Sequence, residues 1–141
     1  MIEQEVKSIL VNKLKFSRNS LNKLDLFTNH LLKANKNRNL IAKSTEKSIW
    51  FRHILDSAQI LRFIDFHEVK SIVDLGTGAG FPGLVLAIFC GKVKFHVKLF
   101  EKSPVKRLFL RDISSKLNLN NLTIYENIYN IKKVLADLVV C

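Results

Sequence analysis

Hydrophobic and polar residues follow two different periods along the chain, and the change between them divides it in two. Up to residue 64, apolar side chains recur every three or four residues, the spacing of one helix face. This predicts helices over residues 1–14, over residues 20–34 with a cap from Ser17 or Asn19, and from Ser44 or Thr45 to Ile64. The side chains predicted to face the core are Ile2, Val6, Ile9, Leu10 and Leu14, then Leu21, Leu24, Phe27, Thr28, Leu31 and Leu32, then Ile49, Trp50, Ile54, Leu55, Ala58, Leu61 and Ile64.

After residue 70, short strand-like runs alternate with helical ones. The predicted strands are Ser71–Val73, Lys94–Phe100, Leu122–Tyr125 and Asp137–Cys141. The predicted helices are Leu84–Phe89, a helix from Ser103-Pro104 with Val105, Leu108, Phe109, Ile113 and Leu117 buried, and a short segment near residues 129–135. This order predicts an α/β, Rossmann-like fold. We divide the chain into an N-terminal helical extension, residues 1–69, and a partial Rossmann-like core, residues 70–141, within one structural domain.

The most informative stretch, V-D-L-G-T-G-A-G-F-P-G, lies between the first strand and its helix, from Val73 to Gly83. Gly76, Gly78 and Gly80 allow a sharp turn in which the backbone comes close to a ligand. Asp74, at the strand end, would oppose a pyrophosphate but favour a cationic ligand such as S-adenosylmethionine. Glu101 ends the second strand, where a carboxylate accepts hydrogen bonds from a ribose diol. The stretch therefore predicts a cofactor site.

The same glycines allow other interpretations. Gly78-x-Gly80-x-x-Gly83 matches the dinucleotide fingerprint, so an NAD-dependent oxidoreductase is one alternative. A dinucleotide site needs its first glycine directly after the strand, and a count from Gly76 puts Phe81 where the third glycine belongs. This phase favours S-adenosylmethionine over NAD. A glycine-rich turn without a ligand is the remaining interpretation.

Charge adds a prediction about the partner. The net charge of +11 and the pI near 9.9 favour a polyanion. Asn and basic side chains in the loop after the second helix, and basic ones on the helix after Ser103, suit phosphate contacts. The candidates for RNA binding are Lys36, Arg38, Asn39, Lys43, Lys106 and Arg107. A solvated basic surface and a basic RNA-binding module without catalytic activity are the alternatives.

Other features narrow the setting. No apolar run approaches the roughly 18 residues of a membrane span, and the charged N-terminus shows no signal peptide. Cys90 and Cys141 lack metal-ligand spacing, and the histidines lie too far apart for a local zinc motif. We expect a cytoplasmic monomer without a metal. In R-H-I-L-D-S, Arg52 and Asp56 are spaced for an ion pair, and His53 with Asp56 is interpreted as a structural pair.

These residues together resemble the RsmG (GidB) family of bacterial 16S rRNA guanine-N7 methyltransferases. The similarity runs from about Leu31 to Cys141. It rests on Asn39-Leu40, R-H-I-L-D-S at Arg52–Ser57, D-L-G-T-G-A-G-F-P-G at Asp74–Gly83, Glu101 with Lys106 and Phe109-Leu110, and D-L-V-V-C at the end. The resemblance implies S-adenosylmethionine as cofactor and 16S rRNA or the small ribosomal subunit as partner.

The resemblance also implies specific contacts. Carried across, the cofactor contacts fall on Gly76, Phe81, Glu101, Ile128 and Tyr129. Guanine N7 has a free lone pair and no proton to remove, so no catalytic acid or base is predicted. The family usually has Trp where Ala34 stands, and Arg, Val or Ile, and Glu where residues 127–129 stand. The chain ends just before the family's Arg-Ala pair, so we expect a C-terminally truncated chain with an incomplete sheet.

Overall fold

The computed structural model describes residues 1–91, 94–130 and 135–141. Its α-helices are α1 (Glu3–Asn12), α2 (Arg18–Asn35), α3 (Asp56–Ala58), α4 (Gly83–Phe89) and α5 (Pro104–Lys116). Its strands are β1 (Ser71–Leu75), β2 (His96–Phe100), β3 (Leu122–Tyr125) and β4 (Leu138–Val140). Short 3-10 helices occur at Lys43–Ser48, Gln59–Phe63 and Ile128–Asn130, and a π-helix at Trp50–Leu55.

The first two helices lie where the apolar spacing predicts them. In α1, Val6 and Leu10 are buried, whereas Ile2, predicted to be buried, stands outside the helix and is 66% exposed. In α2, the side chain of Ser17 accepts a hydrogen bond from the Ser20 N–H at 3.0 Å. Ser17 rather than Asn19 is therefore the cap, and it satisfies an N–H that the helix itself leaves unpaired.

The third predicted helix is not one regular helix. Its seven predicted core side chains, from Ile49 to Ile64, are all buried. The backbone, however, passes from a 3-10 helix through a π-helix and α3 to a second 3-10 helix. The N-cap is Ala42, without a side-chain cap, so the prediction of Ser44 or Thr45 is wrong. Periodicity identifies which side chains are buried but does not distinguish tight from loose winding.

The four strands form one parallel sheet in the order β3-β2-β1-β4. Residues 94 and 95, predicted as strand, precede β2, and β1 extends two residues beyond the prediction, to Leu75. Of the helix predicted near residues 129–135, the 3-10 helix Ile128–Asn130 covers the start, and residues 131–134 lie outside the described residues. The fold is α/β and Rossmann-like, as predicted, and the strand order reverses between β1 and β4.

The helical extension packs against the helices that connect the strands. Helix α2 contacts both α4, which follows β1, and α5, which follows β2. The Ser20 hydroxyl donates to the Ile88 carbonyl at 3.2 Å, and His30 contacts Asp112 at 2.8 Å. One hydrophobic core therefore runs from α1 to β3.

Helix α5 differs from its predicted orientation. Ser103 caps it and Pro104 opens it, as predicted, and Phe109, Ile113 and Leu117 are buried. Val105 and Leu108, however, are 50% and 59% exposed, and Leu110 is buried instead. The helix has apolar residues on two sides, and only one of them packs on the sheet. In the described part of the chain, no helix is long and apolar enough to cross a membrane.

Candidate functional site

The glycine loop, residues 76–83, follows β1 directly and is anchored to β2. The N–H groups of Gly76 and Thr77 both donate to the Phe100 carbonyl, at 2.9 and 3.0 Å. Gly78 has a positive φ of 60°, and a Cβ added there would meet nothing within 4 Å. A Cβ at Gly83 would lie 2.3 Å from a Leu99 methyl carbon. One end of the loop is therefore open, and the other is filled by the core.

Asp74 holds the closed end of this loop. Its side chain is fully buried, and Oδ2 accepts a hydrogen bond from the Gly83 N–H at 2.8 Å. Burial raises the pKa of this carboxyl to about 6, against the nearby Thr77 hydroxyl and the Gly83 N–H, which lower it, and nearby Glu101 raises it further. Asp74, predicted to contact a cofactor, braces the loop from behind.

Glu101 holds the open end. Its Oε1 accepts from the Gly78 N–H at 2.9 Å, and its Oε2 accepts from the Ser103 N–H at 2.8 Å. The Arg107 guanidinium donates to the carbonyls of Glu101 and Lys102, at 2.9 and 2.7 Å. One carboxylate thus ties the glycine loop to the start of α5. Each of its oxygens retains a lone pair for a ligand hydroxyl.

A cavity of about 270 Å³, the strand-end pocket, lies at the carboxyl ends of β1, β2 and β3. Ligands bind Rossmann-like sheets at this edge, beside the point where the strand order reverses. The cavity is lined by Leu75, Gly76, Phe100, Glu101, Lys102, Glu126, Asn127, Ile128 and Tyr129. It brings together four of the eight predicted cofactor residues, namely Gly76, Glu101, Ile128 and Tyr129. It is smaller than the roughly 300–1,000 Å³ of typical ligand sites, so it suits one part of a ligand.

The other four predicted cofactor residues do not line this pocket. Asp74 and Gly80 are buried and Gly78 is half-buried at the open end of the loop. A Cβ on Gly80 would lie 2.7 Å from the Leu84 Cβ, so this glycine serves packing. The Phe81 ring points to the helical extension, where it stacks on Phe27 with ring centres 5.3 Å apart.

R-H-I-L-D-S at Arg52–Ser57 spans the junction of the π-helix and α3. His53 stacks on Phe81 at 4.9 Å, and its Nε2 lies 2.9 Å from the Thr45 hydroxyl. Burial lowers the pKa of His53, and the nearby Asp56 carboxylate opposes this. The predicted Arg52 and Asp56 ion pair does not form; the Arg52 guanidinium lies 6.0 Å from the centre of the Phe51 ring instead.

A second cleft, of about 430 Å³, lies between α5 and the segment after α2. We call it the basic cleft. It is lined by Asn37, Arg38, Asn39, Ser103, Val105, Lys106 and Leu108. Three of the six predicted RNA-binding residues, Arg38, Asn39 and Lys106, therefore meet there. Lys36 and Lys43 are exposed outside it, and Arg107 is half-buried and bonded to backbone carbonyls.

The basic segment, residues 36–43, is held by a buried amide. Asn35 is 2% exposed, and its Oδ1 accepts from the N–H groups of Leu40 and Ile41 at 2.7 and 3.0 Å. Its Nδ2 donates to Glu46 at 2.6 Å. This clamp shapes the turn that carries Arg38 and Asn39, while their side chains remain exposed.

Three residues that line or shape these clefts were not among the predicted site residues. Lys102 and Glu126 line the strand-end pocket. Glu126 directly follows β3, and Lys102 is the second residue after β2. A position just after a strand is the sequence signal that could have identified them. Asn35 stands at a helix end, where an Asn commonly bonds backbone N–H groups nearby, and this is the signal that could have identified it. Within residues 1–91, 94–130 and 135–141, no three His, Cys, Asp or Glu side chains form a group that could hold a metal ion.

Comparison with known structures shows the fold. A protein-L-isoaspartate O-methyltransferase superposes with a TM-score of 0.57 at 14% sequence identity, over 99% of this chain and 47% of the other. At this identity the likeness shows the fold alone, and it agrees with the Rossmann-like sheet.

Sequence comparison shows the family. The chain is 47% identical over 103 residues to the ribosomal RNA small subunit methyltransferase G of Magnetococcus marinus, covering 73% of this chain and 45% of that protein. It is 40% identical over 121 residues to the protein of that name from Pelagibacter ubique, covering 83% of this chain and 56% of the other. The chain thus spans about half the length of these relatives. A model of the GidB family, described as rRNA small subunit methyltransferase G, matches residues 20–141. The chain belongs to this family.

Proposed function

We propose that this chain is the cofactor-binding part of an S-adenosylmethionine-dependent methyltransferase that modifies N7 of a guanine in 16S ribosomal RNA. The observation that carries the proposal is the Glu101 carboxylate, which stands between the glycine loop and the strand-end pocket and accepts from the Gly78 N–H. Family membership supports the activity, and the glycine phase disfavours the NAD alternative.

The residues present fit this cofactor. Glu101 retains lone pairs that suit the two hydroxyls of a ribose, and the pocket between Leu75 and Ile128 suits the adenosine part. At Gly76 and Gly78 the backbone stands open, since an added Cβ would meet nothing within 4 Å. This leaves room for the rest of the ligand to lie against the loop. When bound, the cofactor supplies a methyl group on a sulfonium.

For methyl transfer to guanine N7, the side chains need only to align the reactants. Guanine N7 offers a lone pair and loses no proton, so the protein needs to hold the base and the methyl group in line. We assign no general acid or base. Asp74 keeps the glycine loop in shape by accepting a hydrogen bond from the Gly83 N–H.

RNA binding is the part proposed for the basic cleft. Arg38 and Lys106 face one cleft together with the amide of Asn39, a set that suits a phosphate backbone. Ser103, which lines the cleft, is bonded to Glu101 of the strand-end pocket. An RNA in the cleft would therefore lie next to the cofactor. We propose that the helical extension, residues 1–69, positions the RNA, and that residues 70–141 bind the cofactor.

Calorimetry with S-adenosylhomocysteine, S-adenosylmethionine and NAD tests the cofactor. We expect binding of the first two and none of NAD. Binding of NAD alone would replace the proposed function with that of an oxidoreductase.

Mass spectrometry of 16S rRNA from cells with and without the gene tests the substrate. We expect one 7-methylguanosine to disappear when the gene is deleted, and to return with the intact gene. An unchanged set of methylated nucleotides, with S-adenosylhomocysteine binding retained, would leave the cofactor site in place and remove the rRNA substrate.

A further inference from the structure

The Phe81 side chain joins the glycine loop to the helical extension. Its backbone belongs to the loop, since the N–H groups of Gly80 and Phe81 both donate to the Thr77 carbonyl at 3.0 Å. Its ring stacks on Phe27 of α2 at 5.3 Å and on His53 of the π-helix at 4.9 Å. The position of the loop therefore depends on two rings that come from outside the sheet.

His53 is fixed in turn by a hydrogen bond whose direction can be assigned. The Thr45 hydroxyl donates its single proton to the Ala42 carbonyl at 2.8 Å. His53 Nε2, which lies 2.9 Å from the same hydroxyl oxygen, must therefore be the donor. The imidazole is held as the Nε2–H form, with its ring plane set against Phe81. Ala42 and its neighbour Lys43 are the last two residues of the basic segment.

We infer that His53 is a positioning residue that holds the glycine loop through Phe81 and links it to the basic segment through Thr45. The ring stack sets where the loop stands, and the Nε2–H bond sets where the ring stands. This inference rests on the proposed cofactor site, because its effect on binding is exerted through the glycine loop.

His30 offers a matched control. It also stacks on a phenylalanine, Phe109, at 5.7 Å, and it also has a side-chain partner, Asp112, at 2.8 Å. Its contacts join α2 to α5 and leave the glycine loop untouched. His30→Ala and His53→Ala therefore remove comparable contacts, and they differ in whether the lost stack lies against the loop.

Calorimetric titration with S-adenosylhomocysteine measures the effect on binding. Removing one aromatic stack against the loop should weaken affinity about five- to tenfold in His53→Ala. His53→Phe keeps the stack but loses the Nε2–H bond to Thr45, so its affinity should fall between those of the parent and His53→Ala. His53→Gln keeps an N–H donor without the ring and should resemble His53→Ala. His30→Ala should bind like the parent, whatever its thermal stability.

Hydrogen exchange of the peptide that contains Gly80 and Phe81 provides a measurement that needs no ligand. In His53→Ala these amides should exchange several times faster than in the parent, and His30→Ala should leave them unchanged. Equal exchange at the loop in both alanine variants, or a His53→Phe variant as weak as His53→Ala, would overturn the inference. A parent chain that does not bind S-adenosylhomocysteine, with exchange as expected, would reject the proposed function and leave the positioning role standing.

Discussion

The glycine loop and the basic segment are both connections of about eight residues, but they are built in opposite ways. The glycine loop offers its backbone to a ligand, and two carboxylates, Asp74 at its closed end and Glu101 at its open end, accept from its N–H groups. The basic segment offers side chains, and one buried amide, Asn35, holds its backbone from below. In the glycine loop, the groups that are held and the groups that face a ligand both belong to the backbone. In the basic segment, the backbone is held and the side chains face the partner.

This difference determines how tolerant each region is. A backbone site fails when a side chain enters the space of the turn, so its residue types are fixed position by position. A side-chain site of exposed cations works through charge, which several positions can supply. We therefore expect single substitutions to have large effects in the glycine loop and small ones in the basic segment.

The largest effect is expected for Gly83→Ala. The added Cβ would lie 2.3 Å from the Leu99 Cδ2 atom and 2.8 Å from Asp74 Oδ2, both within the core. We expect a loss of about 3 kcal/mol or more in the free energy of unfolding, at the upper end of overpacking effects. Urea unfolding measures it.

Gly91→Ala is the control for Gly83→Ala. A Cβ at Gly91 would meet its nearest atom, the Ile88 carbonyl oxygen, at an ordinary 3.7 Å. This variant should unfold at nearly the parent urea concentration. Equal losses in the two variants would show that the closed end of the loop is not crowded in the way the structure indicates.

The second prediction concerns the pH dependence contributed by Asp74. Its pKa is raised from 3.8 to about 6 in the folded chain, so the folded state holds the proton more tightly than the unfolded chain does. Its stabilising contribution is therefore complete below about pH 4 and is lost as the pH rises through 6, a change of roughly 2 to 3 kcal/mol.

Asp74→Asn isolates this contribution, because the amide does not titrate and its oxygen can still accept from the Gly83 N–H. Relative to the variant, the parent should lose unfolding free energy between pH 4 and pH 7. Urea unfolding of both proteins across this range measures the difference. Parallel pH profiles would mean that Asp74 does not carry the raised pKa.

The glycine loop also shows which features could be predicted from the sequence. The glycine loop was located correctly because Asp74, its glycines and the flanking strand and helix occupy one contiguous stretch. The position of Glu101 after the second strand likewise led to the prediction that it belongs to the site. The destination of the Phe81 ring could not be predicted, since it depends on α2 and the π-helix meeting above the loop.

Helix α5 shows the same limit in a different way. Its pattern contains two apolar sides, and nothing in the sequence tells which side packs on the sheet and which, with Val105 and Leu108, lines the basic cleft. The irregular winding of residues 43–63 likewise follows from packing. Trp50, the first residue of the π-helix, is one example, because its ring is buried beneath the Lys7 ammonium group. Local periodicity predicts burial well and tertiary direction poorly.

Glu101→Gln sharpens the comparison at the open end of the loop. The amide can accept from one of the two N–H groups of Gly78 and Ser103, but its NH₂ group would face the other, donor against donor. We expect about 1 to 2 kcal/mol of lost stability and about tenfold weaker S-adenosylhomocysteine binding. Thermal unfolding and calorimetry measure these effects. Glu126→Gln, an exposed carboxylate in the same pocket, should change both far less, and a similar loss in the two variants would remove the bracing role of Glu101.

The smallest effect is expected in the basic cleft. Replacing Arg38 and Lys106 together with Ala should weaken binding of all RNA sequences alike, because phosphate contacts carry no base information. Each lost contact should lower the slope of log affinity against log salt by about 0.7 to 0.9, since fewer counterions are released. Cofactor affinity should remain at the parent value, because neither side chain lines the strand-end pocket. Filter binding over a salt series measures the slope, with Lys13 and Arg62, which line neither cleft, replaced together as the control. If both double variants lower the slope equally, RNA is held by the overall charge of +11 rather than by the cleft, and the basic segment has no specific site to compare with the glycine loop.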